Sequence, residues 1–437
     1  MIRLLFTLWD GGGNSPPVLS LAGALVERGH DIRVLADPSL REAVLGSGAR
    51  HVPWTTAPHR ATPDPETEFV RDFEARTPLG AMARIRDRLI VGAAPAFARD
   101  TLAEIRRDPV DGVISENLLL GSQVAAVDAG VANISLVPNI YPGEVAGVPP
   151  FGLGLQPRAG RLGQARDRLA KAIGSRLWDK RLADMNRLLG EHGQPPASTL
   201  FELLDRPDRV LVLTSAAFEH GGGARAPANV RYCGPRLDDP DWAGDWSEPE
   251  GDDPLVLVAL STTTQDQDPM IRRVVRALGR MDVRGLVTTG PSFAADGIDA
   301  PGNVTIVAAA PHSAVLPRAE AVVTHAGHGT VIKALAHGVP LLCMPVGRDQ
   351  PDTAARVVAS GAGLRLRPGA GAAAIARALG SVLGDRRFRA AAERMAAAIA
   401  ADRERDLAVA EIEDAIAAPA IPSREPGRAG APDARAR

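Results

Sequence analysis

The chain has 437 residues, 45% of them hydrophobic and 23% charged, a globular composition with enough length for two cores. A formal net charge of −2 and 4% aromatics argue against a nucleic-acid binder that neutralises phosphates or stacks on bases. No stretch is long and apolar enough for a membrane span, the opening apolar run is too short for a signal peptide, and the two cysteines, Cys233 and Cys343, read as buried small hydrophobes in a reducing cytoplasm.

Residues 2–8 form an apolar run that suits a buried parallel strand. The glycine loop Gly11-Gly12-Gly13-Asn14 follows, and Pro16 and Pro17 sit where a helix can begin. Val18, Leu21, Ala22 and Leu25 recur at helical spacing until Gly29, and residues 31–35 give the next strand. That order is a βαβ unit, which implies a right-handed crossover in a parallel sheet. Residues 41–45 read as helix, 51–54 as extended, 80–106 as one long helical region, 112–115 as strand, 122–129 as helix and 133–137 as strand. Residues 138–160 are rich in Pro and Gly and read as a mobile loop. Residues 161–190 are helical and basic, with their arginines on a solvated face, and 210–213 is a late strand of this half.

Residues 234–254 mix Pro, Gly and acids without periodicity and read as a linker. A second series of strands then starts at 255–260 and continues near 284–289, 303–307, 320–324, 340–343 and 363–366, ending in Ala-rich helices over 372–384 and 386–416. The expected division is 1–233, linker 234–254, a second domain over 255–400, a helix at 401–416 able to return to the first domain, and a disordered tail over 417–437.

The most informative stretch runs from Val322 to Leu335: a strand, the turn His325-Ala326-Gly327-His328-Gly329-Thr330, then a helix. A glycine turn lets backbone N–H groups approach an anion, and the helix N-terminus adds positive potential. The Thr330 hydroxyl and a His325 ring N–H can add donors, so the chemistry fits a diphosphate at the carboxyl ends of the strands. Farther on, Asp349 and Gln350 form an acid–amide pair after a strand, which suits sugar hydroxyls.

HAGHGT, ALAHGVP and PVGRDQ, over 325–350, resemble the nucleotide-sugar motif of the inverting glycosyltransferases of the GT-B fold, which include plant secondary-product and bacterial antibiotic glycosyltransferases. The resemblance covers nearly the whole chain. It implies an α/β architecture of two Rossmann-like domains with parallel sheets facing across a cleft. It also implies a phosphate site at His325, Gly327, His328, Gly329 and Thr330, and sugar contacts at Asp349 and Gln350. Ser261 and Thr262 lie where the family often touches phosphate, and Gly290, Ala310 and His312 lie where it surrounds the nucleoside. Two positions depart from the pattern. Ala309 stands where many members carry a base-stacking aromatic, and Lys333 where plant members carry a ribose-binding glutamate. The second departure favours a thymidine-diphosphate over a uridine-diphosphate donor, and the bacterial natural-product members resembled commonly carry deoxysugars on it.

The family's base is usually a first-loop histidine held by an aspartate from a later strand. Here the first position is Asn14, which cannot act as a base near neutral pH, and the partner position falls near Glu116. Glu116 or Asp10 would then serve, or an acidic acceptor would need positioning more than a base. Gly13, Trp54, Asn139 and Tyr141 are expected to line a site for a hydrophobic natural-product acceptor. The expected enzyme takes a nucleotide sugar as co-substrate and needs no cofactor or metal. The short D-x-D pattern at Asp266-Gln267-Asp268 reads as a polar loop, and a homodimer stays open. Three alternatives remain beside it: an auxiliary homologue that activates a partner enzyme, a sugar-nucleotide epimerase of the same shape, and a dehydrogenase. The last is disfavoured because the first loop lacks the G-x-G-x-x-G spacing.

Overall fold

A computed structural model describes the chain except residues 63, 240–242, 245, 262–266, 291–297 and 418–437. Thr262, Asp266 and the tail from Pro419 therefore lie outside the described residues. The first half supplies seven strands: β1 (Arg3–Thr7), β2 (Asp31–Ala36), β3 (Arg50–Pro53), β4 (Gly112–Glu116), β5 (Ala132–Val137), β6 (Arg209–Val212) and β7 (Val230–Tyr232). The second supplies six: β8 (Leu255–Ala259), β9 (Arg284–Thr288), β10 (Val304–Val307), β11 (Ala319–Thr324), β12 (Leu341–Cys343) and β13 (Gly363–Arg365). Helices α1 (Ser15–Glu27), α2 (Arg41–Gly46), α3 (Pro78–Ile85), α4 (Ala94–Arg107), α5 (Leu120–Asp128), α6 (Gly160–Trp178) and α7 (Leu182–Glu191) belong to the first half. They are followed by α8 (Asp268–Leu278), α9 (His312–Val315), α10 (His328–Ala336), α11 (Gln350–Ser360), α12 (Ala372–Gly384), α13 (Arg386–Arg405) and α14 (Leu407–Ala417).

Every strand pairing is parallel. The strand orders are β3-β2-β1-β4-β5-β6-β7 and β10-β9-β8-β11-β12-β13. Parallel strands covered on both faces must be apolar throughout; Leu255, Val256, Leu257 and Val258 of β8 are fully buried. In each sheet the order reverses beside the first strand, between β1 and β4 and between β8 and β11. Loops leaving those strands open onto the crevice where doubly wound sheets take ligands.

Three local readings need correction. The helical region over 80–106 is interrupted: α3 ends at Ile85, a π-helical turn covers Arg86–Ile90, and α4 starts at Ala94. Gly92 marks the break, because a Cβ there would stand 1.8 Å from the Asp87 carbonyl oxygen. The region over 386–416 is two helices. Asp406, at φ +34°, turns the chain between them so that Ala408, Val409, Ile412 and Ala415 of α14 join the core of β1, β2 and α1. The Pro/Gly segment after β5 is fastened, not loose. The Asp352 carboxylate of α11 accepts the Gly152 amide at 2.8 Å and the Gly154 amide at 3.3 Å. Both cysteines are buried and free, and no helix among the described residues is long and apolar enough to cross a membrane.

Candidate active site

β11 delivers the fully buried Thr324 into a three-residue turn before α10 starts at His328. Ala326 takes φ +68°, a left-handed conformation that costs a residue with a Cβ on the order of 1 kcal/mol. Its amide donates to Thr324 Oγ1 at 3.2 Å. Gly327 has an ordinary φ of −60° and is needed for closeness instead: a Cβ there would lie 2.5 Å from His325 Nε2. Gly329 is exposed, with open space where a Cβ would go. Amides in the first turn of a helix have no intrahelical partner and carry its positive end, so those of Gly329 and Thr330 can receive an anionic oxygen.

His325 is 7% exposed. Burial pulls its pKa down to about 4, the Ala259 carbonyl opposing and Arg348 adding to the fall. It is therefore a neutral imidazole at neutral pH, with one N–H to give. Ser261, beyond β8, is buried, and its amide donates to Gln267 Oε1 at 3.0 Å. On the other flank Gly290 takes φ +70° and donates its amide to the Ala308 carbonyl at 2.9 Å. Ala310 is buried there, and His312 opens α9. Burial holds the His312 pKa near 4, with Lys333 adding to the fall and Asp239 opposing it. Lys333 Nζ donates to the Asp238 carbonyl at 2.8 Å and Asp239 Oδ1 at 2.6 Å, while Asp239 Oδ2 accepts the Ser313 amide at 2.9 Å.

The sugar motif follows β12. Gln350 Oε1 accepts the amides of Val346 and Gly347 at 2.8 and 3.1 Å, so its oxygen braces its own loop. Asp349 precedes α11 and accepts Asn139 Nδ2 at 3.3 Å from the other half of the chain. Burial raises the Asp349 pKa, and its own backbone amide, Arg348 and Asn139 oppose the rise. Arg348 takes φ +55° and reaches across the cleft to Asp72, donating Nε at 2.8 Å and Nη2 at 2.7 Å, with Glu68 at 3.5 Å from Nη2. Arg356 makes a second crossing to Glu219, at 2.6 and 2.8 Å, with both side chains 5% exposed.

On the first-half side, β1 leads into Trp9, Asp10 and the glycine loop. Asp10 is fully engaged: its carboxylate accepts Gly12 N at 3.2 Å, Ser39 Oγ at 2.7 Å and Arg60 Nη1 at 3.2 Å. That geometry makes it a loop brace and corrects its reading as a base. Asn14 Nδ2 donates to Glu116 Oε2, at the end of β4, at 2.9 Å. Glu116 is 2% exposed. Burial pushes its pKa up to about 8, donors on Trp9 and Asn14 opposing and Asp37 adding. Asn14 thus occupies Oε2 of a carboxyl that is itself buried, which does not suit Glu116 to act directly on an acceptor as a base. Gly13 is exposed with nothing near its missing side chain.

Three further expectations change. Trp54 is 2% exposed, donates Nε1 to the Leu8 carbonyl at 3.1 Å and packs edge-on against Phe97; it is core and has no face for an acceptor. Tyr141 is 4% exposed, and its hydroxyl donates to Asp205, which removes it from the acceptor surface too. The His328 ring turns away from the turn to Thr214 Oγ1, at 2.9 Å, and lies beside Phe218, leaving only its backbone for an anion. Asp268 of the D-x-D pattern pairs with Arg272 at 2.9 Å. The sequence reading did not find Glu68, Asp72, Glu219 or Asp239.

Residues 272–414 match the family described as erythromycin biosynthesis protein CIII-like, C-terminal domain. The chain is 30% identical over 404 residues to a 4'-demethylrebeccamycin synthase from Lentzea aerocolonigenes, covering 90% of this chain and 94% of the relative. It is 28% identical to the O-mycaminosyltylonolide 6-deoxyallosyltransferase of Streptomyces fradiae, covering 94% and 97%. Its fold resembles that of the calicheamicin glycosyltransferase CalG4, with TM-score 0.76, 22% identity, and 95% and 98% of the two chains covered. It also resembles that of SsfS6 from Streptomyces sp. SF2575 complexed with thymidine diphosphate, with TM-score 0.60, 21% identity, and 92% and 96% covered. With two parallel sheets, open amides at the second switch point and this span of shared sequence, the chain belongs to the GT-B glycosyltransferases of natural-product and antibiotic biosynthesis.

Proposed function

We propose that the enzyme transfers a deoxysugar, with inversion, from a thymidine-diphosphate donor to a hydrophobic natural-product acceptor. In this reading the half over 255–400 holds the donor and the half over 1–233 holds the acceptor. The observation that carries it is the β11–α10 turn: exposed Gly329 and half-buried Thr330 offer first-turn amides beside the neutral His325. Backbone donors and a helix end suit a diphosphate and stabilise it as it leaves. Asp349 would accept sugar hydroxyls, and Gln350 would shape its loop. Ser261, Gly290, Ala310 and His312 would border the nucleotide, and Gly13 and Asn139 the acceptor. Lys333 supports the thymidine preference, because it is committed to Asp239 and brings no carboxylate to a ribose hydroxyl. The similarity to a 6-deoxyallosyltransferase of Streptomyces fradiae supports the deoxysugar.

Calorimetry with thymidine diphosphate and uridine diphosphate tests the donor. Thymidine diphosphate should bind at least as tightly as uridine diphosphate, and no binding of either overturns the proposal. The anomeric configuration of the product, read by NMR coupling constants, tests inversion.

A further inference from the structure

Asn14 is held by its nitrogen. Nδ2 donates to Glu116 Oε2 at 2.9 Å and to the Trp9 carbonyl at 3.3 Å. A peptide carbonyl only accepts, so nitrogen must face it, and the orientation of the amide is fixed. Oδ1 then turns away from both partners; it is buried and has no hydrogen-bond partner among the described residues. Gly11 makes room for this arrangement, since a Cβ there would stand 2.7 Å from Oδ1 and 2.7 Å from the Trp9 ring. Gly13, next to Asn14 in the chain, is exposed, with nothing within 4 Å of where a Cβ would stand. A buried carbonyl without a donor costs about 1–3 kcal/mol, a cost removed by a ligand that brings a proton.

We propose that Asn14 Oδ1 accepts a hydrogen bond from the acceptor's nucleophilic O–H or N–H. The acceptor is then one whose proton leaves without a protein base, such as a phenol or a heteroaromatic N–H. This rests on the transferase reading above. Neither member of the pair is suited to take the proton: a carboxamide is not a base, and Glu116 is buried with its Oε2 occupied by Asn14. In the transfer the nucleophile–C1 bond forms and the C1–oxygen bond to the diphosphate breaks. The diphosphate oxygen keeps that electron pair and leaves on the opposite face of C1, and the nucleophile's proton, acidic once the new bond forms, is lost to water. Asn14 aligns the nucleophile, and Glu116 holds Asn14.

The test uses the full chain, TDP-glucose and a series of substituted phenols of graded acidity. The parent enzyme should slow by about tenfold or more from the most to the least acidic phenol. Asn14→His installs a base beside Glu116; it should flatten that dependence and raise the least acidic phenol by about tenfold. Asn14→Ala should slow every phenol and gives the same discrimination if the histidine variant folds poorly. Equal slopes in parent and Asn14→His, or equal rates in parent and Asn14→Ala, overturn the proposal. Thymidine-diphosphate binding without transfer to any phenol also counts against Asn14 alone, whereas failure to bind either nucleotide defeats the reading beneath it.

Discussion

The two loops at the switch points of the two sheets are built in opposite ways. In the β1–α1 loop the side chains are spent on one another: Asp10 on Gly12, Ser39 and Arg60, Asn14 on Glu116, and Asp37 on the Asp10 amide. In the β11–α10 turn the side chains withdraw, with His325 buried and His328 turned to Thr214, and the backbone is what faces outward. An anion needs only donors and a helix end, which the backbone supplies whatever the sequence around it. A nucleophile's proton needs an oriented hydrogen-bond acceptor, which under the proposal above is the fixed amide of Asn14.

The sharpest way to break this contrast is at two neighbouring glycines. Gly327→Ala would put a Cβ 2.5 Å from His325 Nε2, displacing either the ring or the turn, and turnover should fall about 100-fold or more, the scale of losing a stabilising donor. Gly329→Ala meets no atom within 4 Å and gains helix propensity, so its melting temperature should hold or rise while thymidine-diphosphate affinity falls. Kinetics, melting and calorimetry on the pair separate fold from function. Equal behaviour of the two variants would mean that the turn does not present its backbone.

The contrast also predicts opposite pH responses. Burial raises Glu116 to about 8 and Asp37 to about 7. A raised carboxyl contributes stability that is intact below its unfolded pKa of roughly 4 and is lost as pH climbs through the folded value. Burial lowers His325 to about 4 and His328 to about 3. A lowered histidine contributes stability present above roughly 6.5 and lost as pH falls toward the folded value. The first-half loop therefore limits stability on the alkaline side and the second-half turn on the acid side. Glu116→Gln should narrow the gap in melting temperature between pH 5 and pH 8 by roughly 2–4 °C per kcal/mol recovered. His328→Gln should flatten only the acid side. A Glu116→Gln curve parallel to that of the parent would sink the assignment.

Legibility followed the same division. Apolar runs such as 255–260 became strands because a parallel sheet buries both faces, and the HAGHGT turn was readable because its glycines mark a strand–turn–helix backbone. The three-residue β7 was missed, being only partly buried and too short for a period. Side-chain roles were read least well. Nothing local to Arg348 announces Asp72, 276 residues away, and nothing near Gly152 announces Asp352, 200 residues away. Trp54 is expected from the sequence to line the acceptor site, but tertiary packing gave its indole N–H to the Leu8 carbonyl.

The smallest expected effect lies where the end of the chain returns to the first half. Glu413 of α14 accepts Arg28 at 2.8 Å and His30 Nε2 at 2.9 Å. These contacts lower the Glu413 pKa, His30 and Arg28 being the main causes. The Arg28 and Glu413 side chains are 58% and 26% exposed, and such pairs stabilise little because water competes for both ions and salt screens them. The attachment of α14 rests instead on Ile412, fully buried against β1 and α1. Glu413→Ala should thus shift the urea midpoint barely at all and lose that small shift in high salt. Ile412→Ala should cost about 2–5 kcal/mol at any salt concentration. A large, salt-sensitive loss for Glu413→Ala would mean that charge, not apolar burial, ties α14 to the first half.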